Sequence, residues 1–157
     1  MRKKIINLDH KPDPDPGHAW LDVERLATVE VSSEDDAHPI ESALLPGTTS
    51  GWRAAQPGRQ VIRILFDQPQ KLEWIRLRFE EHVMDRTQEF VLRWSGGDGQ
   101  ALREIARQQW NFSPAGATVE VENYRLELAA VTILELEIVP DISGGSALAS
   151  LGAWRLA

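Results

Sequence analysis

Hydrophobic and polar residues alternate along several short stretches of the chain. In KLEWIRLRFE, residues 71–80, the side chains of Ile75, Leu77 and Phe79 fall on one face, and the charged residues between them fall on the other. A period of two is typical of a β-strand with one buried and one solvated face, whereas a helix would spread these residues around its axis. The stretch TILELEIV, residues 132–139, alternates in the same way and also predicts a strand.

Eight such stretches follow one another, with turn residues between them. They are residues 26–33, 60–66, 71–80, 89–95, 102–110, 118–128, 132–139 and 150–156. Many short strands with regular turn signals are typical of an all-β sandwich, which is therefore the predicted fold class. One short helix is expected within HPIESALLPG, residues 38–47, and the glycines of SGGDGQ, residues 95–100, predict the tip of a hairpin.

The first 18 residues are predicted to be an extended lead-in to a single domain. Prolines occupy alternate positions in KPDPDPG, residues 11–17, where they remove backbone donors and favour extended conformations in their neighbours. Residues 19–157 are then expected to form one β-sandwich binding domain, because a chain of 157 residues has room for one well-buried core and little more.

Composition narrows the classes of partner and the cellular compartment. The formal net charge of -7 and the isoelectric point near 5.1 give no broad attraction to nucleic acid or anionic lipid, so nucleic acid is not an expected partner. There is no cysteine, which excludes disulfides, thiolate metal sites and a cysteine nucleophile. The sequence contains neither a signal-peptide apolar region nor a membrane span, and we predict a cytoplasmic protein.

The search for catalytic chemistry yields one weak candidate. FEEH, residues 79–82, places two carboxylates beside an imidazole, an arrangement that could serve acid–base chemistry in a cleft. A charged strand end that runs into solvent explains the same residues. The four histidines have no HxH or HExxH spacing, so no metal site is predicted. We therefore expect a protein that is not an enzyme, with no catalytic residues and no cofactor.

Several longer stretches are similar to the coagulation factor 5/8 type C, or discoidin, domain, which has a galactose-binding-like fold. The similarity spans roughly residues 29–156 and rests on an Ala-Leu pair before "GW", a strand that ends in "FDQP", the stretch "SGGDG" after a strand, and a final "ALASLGAWRL". The resemblance implies a jelly-roll β-sandwich whose loops at one end form a ligand surface. Members of that family commonly bind carbohydrate, phospholipid headgroups or proteins, and are seldom catalysts.

The same resemblance bears on Trp52 and on calcium. Trp52 is expected to pack against the sandwich and to anchor the loop before it. Members that hold calcium carry Asp-Gly after the Ala-Leu pair, where this chain has Leu45 and Pro46, and a glutamate near the end, where it has Ala153. Calcium requires several oxygen ligands, so the absence of these two carboxylates predicts no metal at the family site.

The strongest candidate for ligand contact is RQQWNFSPAG, residues 107–116. Trp110 and Phe112 lie two residues apart, with Asn111 between them and Arg107 nearby. Sugars present C–H faces to aromatic planes and hydroxyls to forked donors and acceptors, so this stretch has the side chains of a sugar site. The alternative is that both aromatic side chains point into the core, because a buried strand face also places aromatics two residues apart.

Two further stretches are predicted to be ligand-binding loops, residues 32–39 and 80–88, because binding residues concentrate on connections. The candidate side chains on them are His38, Glu81, His82 and Arg86. We predict a non-catalytic binding module that recognises carbohydrate through loops at one end of the sandwich. The alternative is an intracellular protein–protein interaction (adaptor) domain of the same fold, with a protein as its partner.

Overall fold

The computed structural model describes residues 20–47, 50–97 and 99–157 of the chain. These residues form eight strands and two one-turn helices. The strands are β1 Ala27–Val31, β2 Trp52–Pro57, β3 Gln60–Glu80, β4 Arg86–Ser95, β5 Arg103–Phe112, β6 Val119–Val139, β7 Leu148–Leu151 and β8 Ala153–Leu156; the helices are α1 Val23–Leu26 and α2 Glu41–Leu44. The predicted all-β sandwich is confirmed, and the predicted lead-in of residues 1–18 lies outside the described residues.

The strands β3 and β6 are each 21 residues long, and each joins two of the predicted stretches. They pair with each other in antiparallel fashion, but the register shifts between Leu65 and Trp74. Before the shift β3 also pairs with β1, and after it β3 also pairs with β8. The last part of β6 pairs with β4, whose other edge pairs with β5. The two halves of each long strand therefore belong to different layers of the sandwich.

The core lies between these layers and follows the alternation seen in the sequence. Along the last part of β3, the side chains of Ile75, Leu77 and Phe79 are fully buried, as the period of two predicts. Phe79 stacks on Phe90 of β4 with the ring centroids 5.2 Å apart. Trp52 is 1% exposed in the same cluster, which confirms that this tryptophan is structural.

Ion pairs cover the outer face of one layer. On β6, Glu135 and Glu137 accept hydrogen bonds from Arg93 Nη1 of β4 at 3.1 and 3.3 Å. Glu135 also accepts a 2.9 Å bond from Arg63 Nε, and Glu137 accepts a 2.8 Å bond from Arg59 Nη2. The polar face predicted from the sequence is thus a network of opposite charges that links neighbouring strands.

The strand β2 is contained in none of the eight predicted stretches. Its sequence, WRAAQP, is rich in alanine, glutamine and proline, which are weak strand signals. It becomes a strand through its pairing with β7, a segment far along the chain. Gly51 precedes it with a φ of +66°, and a Cβ there would lie 2.7 Å from the Leu151 carbonyl oxygen, so glycine is required for this approach.

Candidate functional site

An open cleft of about 180 Å³, here called the end cleft, lies at one end of the sandwich. Four parts of the chain meet there: the segment after β1, the start of β2, the end of β3 and the turn between β7 and β8. The lining residues are His38, Ser50, Trp52, Arg53, Glu80, Glu81, His82, Val83, Ser150, Leu151 and Gly152. Three of the predicted ligand-binding residues, His38, Glu81 and His82, are therefore brought together in one cleft.

The segment after β1 forms one wall of the end cleft and carries His38. The Asp35 amide donates to the Arg53 carbonyl at 2.8 Å, and the Arg53 amide donates to the His38 carbonyl at 3.1 Å, so the segment is fixed to β2. His38 Nδ1 lies 3.4 Å from Asp35 Oδ2, which orients the ring. A hydrogen bond from the Ala37 amide, with smaller contributions from His38 and Arg53, holds the pKa of Asp35 below its ordinary value. A charged carboxylate thus stands beside the imidazole.

Arg53 also lines the end cleft, and the sequence pattern did not single it out. Its side chain is exposed and makes no ion pair or hydrogen bond with the residues that the structure describes. One sequence signal could have identified it: Arg53 directly follows Trp52, which is expected to be buried, and neighbours in an extended segment point to opposite sides. The forked donors of this guanidinium remain free for a ligand.

The end of β3 and the residues after it form the opposite wall. His82 Nε2 lies 3.0 Å from Glu80 Oε2, and Glu80 is also paired with Arg78. Val83 follows with 87% of its surface exposed. This wall therefore offers an imidazole and a carboxylate for hydrogen bonds and one apolar side chain for packing.

The Glu81 carboxylate on this wall is held from both sides. Its Oε1 accepts a 2.8 Å bond from Arg86 Nε, and its Oε2 accepts a 3.1 Å bond from the Val83 amide. Burial alone would raise the pKa of Glu81, but the bonds from Arg86 and Val83 outweigh it and lower that pKa. Glu81 therefore presents a charged acceptor in a fixed orientation.

The position of Arg86 corrects the expectation that it contacts the ligand. Its side chain has no exposed surface. Arg86 Nη1 donates to the Pro140 carbonyl at 2.8 Å, and the guanidinium lies 4.7 Å from the centre of the Phe112 ring. The buried guanidinium does not line the end cleft, and Glu81 is the cleft residue that it binds.

The two aromatic residues of β5 do not form an exposed stacking platform. Phe112 is 2% exposed and belongs to the core, while Trp110 is half-buried and packs against the core. Residues two apart share one face of a strand, and here that face turns inward. The alternative of a core position is therefore correct for Phe112, and neither ring lines the end cleft.

Arg107 and Asn111 point outward from the same strand. Arg107 Nη1 binds Glu89 at 2.7 Å, and Asn111 Oδ1 accepts a 2.6 Å bond from Thr87 Oγ1. Asn111, Phe112 and Arg86 line a second, shallower depression of about 390 Å³. The predicted residues are thus divided between two places, and Arg107 and Trp110 line neither.

The residues at the calcium position of the resembling family do not fit a metal ion. Arg155 Nη1 donates to the Ala43 carbonyl at 2.7 Å, and Arg155 Nη2 donates to the Leu45 carbonyl at 3.1 Å. Burial lowers the pKa of Arg155, yet an arginine keeps its charge in proteins, so a cation already binds these carbonyls. Within residues 20–47, 50–97 and 99–157 there is no group of three or more His, Asp or Glu side chains that could hold a metal.

Sequence comparison gives no match: no protein-family model matches this chain, and no curated protein does so. In the described part of the chain, no helix has the length and apolar character needed to cross a membrane.

Solved structures of carbohydrate-binding modules share the fold. The family 32 module of AlyQ, solved with 4,5-unsaturated mannuronic acid, is 16% identical with a TM-score of 0.63, over 89% of this chain and 98% of that chain. The family 32 module of NanJ from C. perfringens, solved with galactose, is 12% identical with a TM-score of 0.64, over 87% and 96%. CpGH89CBM32-5 of Clostridium perfringens, solved with GalNAc-β-1,3-galactose, is 14% identical with a TM-score of 0.63, over 88% and 99%. At these identities the likeness establishes the fold alone, the galactose-binding-like sandwich that such modules share with discoidin domains.

Proposed function

We propose that this chain is a non-catalytic carbohydrate-binding module that takes a sugar in the end cleft. One observation carries the proposal: His38, Glu81 and His82, selected from the sequence on two separate loops, converge on a single cleft. Solved structures of the same fold hold 4,5-unsaturated mannuronic acid, galactose or GalNAc-β-1,3-galactose, which supports sugar as the class of ligand.

The side chains of the end cleft match the chemistry of a sugar. Arg53 offers forked donors, Glu81 offers carboxylate acceptors, and the imidazoles of His38 and His82 can donate or accept. Val83 adds an exposed apolar surface against which a C–H face can pack. The volume of about 180 Å³ lies below the roughly 300–1,000 Å³ of sites for drug-sized ligands, so the cleft suits one sugar unit.

The carboxylates of the end cleft are suited to binding rather than to catalysis. An enzyme that cleaves a glycosidic bond uses a general acid whose pKa is raised. The pKa of Glu81 is lowered instead, and Glu80 is paired with Arg78 and His82. Both carboxylates can accept hydrogen bonds from hydroxyl groups, and Glu81 is not poised to donate a proton.

Calorimetric titration with galactose, GalNAc-β-1,3-galactose and mannuronate oligosaccharides tests the proposal. We expect the wild-type chain to bind at least one of these sugars. Arg53→Ala and His38→Ala should each weaken binding about tenfold, or about 1.4 kcal/mol, because each removes a hydrogen-bonding group from the cleft. Gln109→Ala is the control, since this exposed residue of β5 does not line the cleft and should leave the affinity unchanged.

Two outcomes would contradict the proposal in different ways. No binding to any sugar on a broad glycan panel would overturn the carbohydrate assignment. Wild-type affinity in both cleft variants would move the site elsewhere, and the depression lined by Asn111 and Asp141 would be the next candidate.

A cytoplasmic protein-interaction domain is the second candidate function. The segment after β3 exposes 87% of Val83 and 37% of Met84, two adjacent apolar side chains of the kind that protein interfaces bury. Met84→Asp should then abolish capture of a protein from a lysate. Sugar binding should be unaffected by that change, because Met84 does not line the end cleft.

A further inference from the structure

A cluster of buried polar side chains lies behind the wall of the end cleft. Arg86, Gln88 and Glu120 are all buried, although each is polar or charged. Arg86 Nη1 lies 3.3 Å from Gln88 Oε1, and Gln88 Nε2 donates to Glu120 Oε1 at 3.2 Å. The 2.8 Å bond from Arg86 Nε to Glu81 Oε1 connects this cluster to the cleft.

We infer that Arg86 is a positioning residue of the end cleft, which holds Glu81 and the ligand-facing residues 81–83 in place without touching the ligand. The inference deepens the proposed function and rests on it. On this inference, Arg86 contributes to sugar binding although its side chain has no exposed surface with which to contact a sugar.

The shape of the arginine side chain explains this role. Its Nε binds Glu81, its Nη1 binds the Pro140 carbonyl beyond β6, and its face lies over the Phe112 ring of β5. One planar guanidinium thus connects three parts of the chain, which the single nitrogen of a lysine cannot do. A buried charge is costly unless it is paired, so the pairing with Glu81 is strongly favoured in the folded chain.

Glu81 connects Arg86 to the backbone that lines the end cleft. Its Oε2 accepts a hydrogen bond of 3.1 Å from the Val83 amide, and its own amide donates one of 2.8 Å to the Thr118 carbonyl. The residues between β3 and β4 therefore fold around a carboxylate whose position Arg86 sets. His82 and Val83, which line the cleft, lie on this segment.

Glu120 makes the cluster sensitive to pH. Burial, with a further contribution from the Glu122 carboxyl group, raises the pKa of Glu120 to about 8. At pH 7 the protonated, uncharged form of Glu120 therefore predominates. Tyr124 is the other titratable group that interacts with Glu120, and its own pKa is raised by burial and by the two carboxyl groups.

Ionised Glu120 would compete with Glu81 for the guanidinium. Arg86 Nη2 and Glu120 Oε2 are buried and make no hydrogen bond within the described residues, so each has capacity for a new partner. Asp141 is a third carboxylate that interacts with Arg86. Its pKa is lowered mainly by hydrogen bonds from Ser143, so it stays charged at neutral and alkaline pH. A rise in pH thus changes the surroundings of Arg86 through Glu120.

Arg86→Lys tests the inference, with Arg93→Lys as the matched control. Arg93 is also paired with two glutamates, but it lies on the outer face of the sheet and does not line the end cleft. The probes are galactose, GalNAc-β-1,3-galactose and mannuronate oligosaccharides. We expect Arg86→Lys to bind about tenfold more weakly than wild type and Arg93→Lys to stay within about twofold of it.

A pH profile separates positioning from a general loss of stability. Between about pH 7 and pH 9 the wild-type affinity should fall about threefold or more as Glu120 ionises and attracts Arg86. Glu120→Gln cannot ionise and should keep a constant affinity over the same range. Wild-type affinity in Arg86→Lys, or one shared pH profile for wild type and Glu120→Gln, would overturn the inference.

Two further results have defined meanings. If Arg86→Lys does not fold, the comparison of wild type with Glu120→Gln decides. If the wild type binds neither these probes nor any sugar on a broad glycan panel, the proposed function fails, and positioning is then measured by amide hydrogen exchange of residues 81–85. Faster exchange in Arg86→Lys than in Arg93→Lys would support the positioning role, and equal exchange would overturn it.

Discussion

Trp52 Nε1 donates a hydrogen bond of 3.0 Å to the backbone carbonyl of Ser33. The bond joins the first residue of β2 to the segment that leads from β1 to His38. Trp52 is 1% exposed and also lines the end cleft, so one residue closes the core and supports a wall of that cleft. A buried indole whose N–H finds an acceptor avoids the cost of an unsatisfied donor.

Trp52→Phe should lower the free energy of unfolding by about 1–3 kcal/mol, because the Ser33 carbonyl loses this donor. Trp110→Phe is the control, since the buried Nε1 of Trp110 makes no hydrogen bond within the described residues and its removal should cost less. Urea denaturation of both variants measures the difference. If both variants lose the same free energy of unfolding, the hydrogen bond to Ser33 contributes no stability beyond that of the packed ring.

Phe112→Ala should lower the free energy of unfolding by about 3–5 kcal/mol, the usual cost of truncating a buried aromatic side chain. The ring also supports the Arg86 guanidinium, so part of the loss comes from that contact. Asn111→Ala, at the exposed neighbouring position, should stay within about 0.5 kcal/mol of wild type. A marginal effect of Phe112→Ala in a thermal melt would return Phe112 to the list of ligand contacts.

The strands were predictable because burial of one face leaves a local pattern in the sequence. Ile75, Leu77 and Phe79 show this alternation and are all buried. The continuity of β3 was not predictable, because the polar residues 67–70 have the composition of a turn. The strand continues through them as the chain passes between layers, with shifts of register against β6, and only tertiary pairing specifies that course.

The loops that line the end cleft were predictable as connections between strands, but the directions of individual side chains were not. His82 and Arg86 are polar residues on one predicted loop, yet His82 is exposed and Arg86 is buried. Arg86 begins β4 and turns into the sandwich, a direction that depends on strand pairing rather than on composition. Trp110 and Phe112 are spaced equally well for a platform and for a core face, so the spacing could not decide between the two.

Millimolar calcium, or a chelator, should leave the melting temperature of the wild-type chain unchanged. A metal that binds the native state raises stability in proportion to its occupancy, and the Arg155 guanidinium already holds the Ala43 and Leu45 carbonyls. Arg155→Ala should lower the free energy of unfolding by about 1–3 kcal/mol, because these carbonyls lose their donors. Differential scanning fluorimetry measures both effects.

A variant that introduces the carboxylates found in calcium-binding discoidin domains gives the complementary test. Leu45→Asp and Ala153→Glu, combined with Arg155→Ala, supply oxygen ligands and remove the competing cation. We expect calcium to raise the melting temperature of this triple variant. A rise of several degrees in the wild type would contradict the explanation based on Arg155.

The melting temperature of the wild-type chain should fall as the pH rises from about 5 to about 9. The pKa of Glu120 rises from 4.5 to about 8 on folding, chiefly through burial, so the folded state favours the protonated acid. Its contribution to stability is complete below pH 4.5 and is lost as the pH rises through about 8. The carboxylates with lowered pKa values, such as Glu81, Glu89 and Glu137, contribute in the opposite sense. Their stabilising contribution is lost only as the pH falls below this window.

Glu120→Gln isolates this contribution. A glutamine keeps the shape of the side chain and cannot ionise, so the variant should melt above the wild type at pH 9, and the gap should narrow toward pH 5. A pKa shift of one unit corresponds to about 1.4 kcal/mol, and each 1 kcal/mol moves the melting temperature of a protein of this size by about 2–4 °C, so the gap at pH 9 should be several degrees. Glu127→Gln, at an exposed position of the same strand, should follow the wild-type curve. If Glu120→Gln also follows the wild-type curve across the range, Glu120 is ionised in the folded chain at neutral pH, and the guanidinium of Arg86 then interacts with two charged carboxylates, those of Glu81 and Glu120.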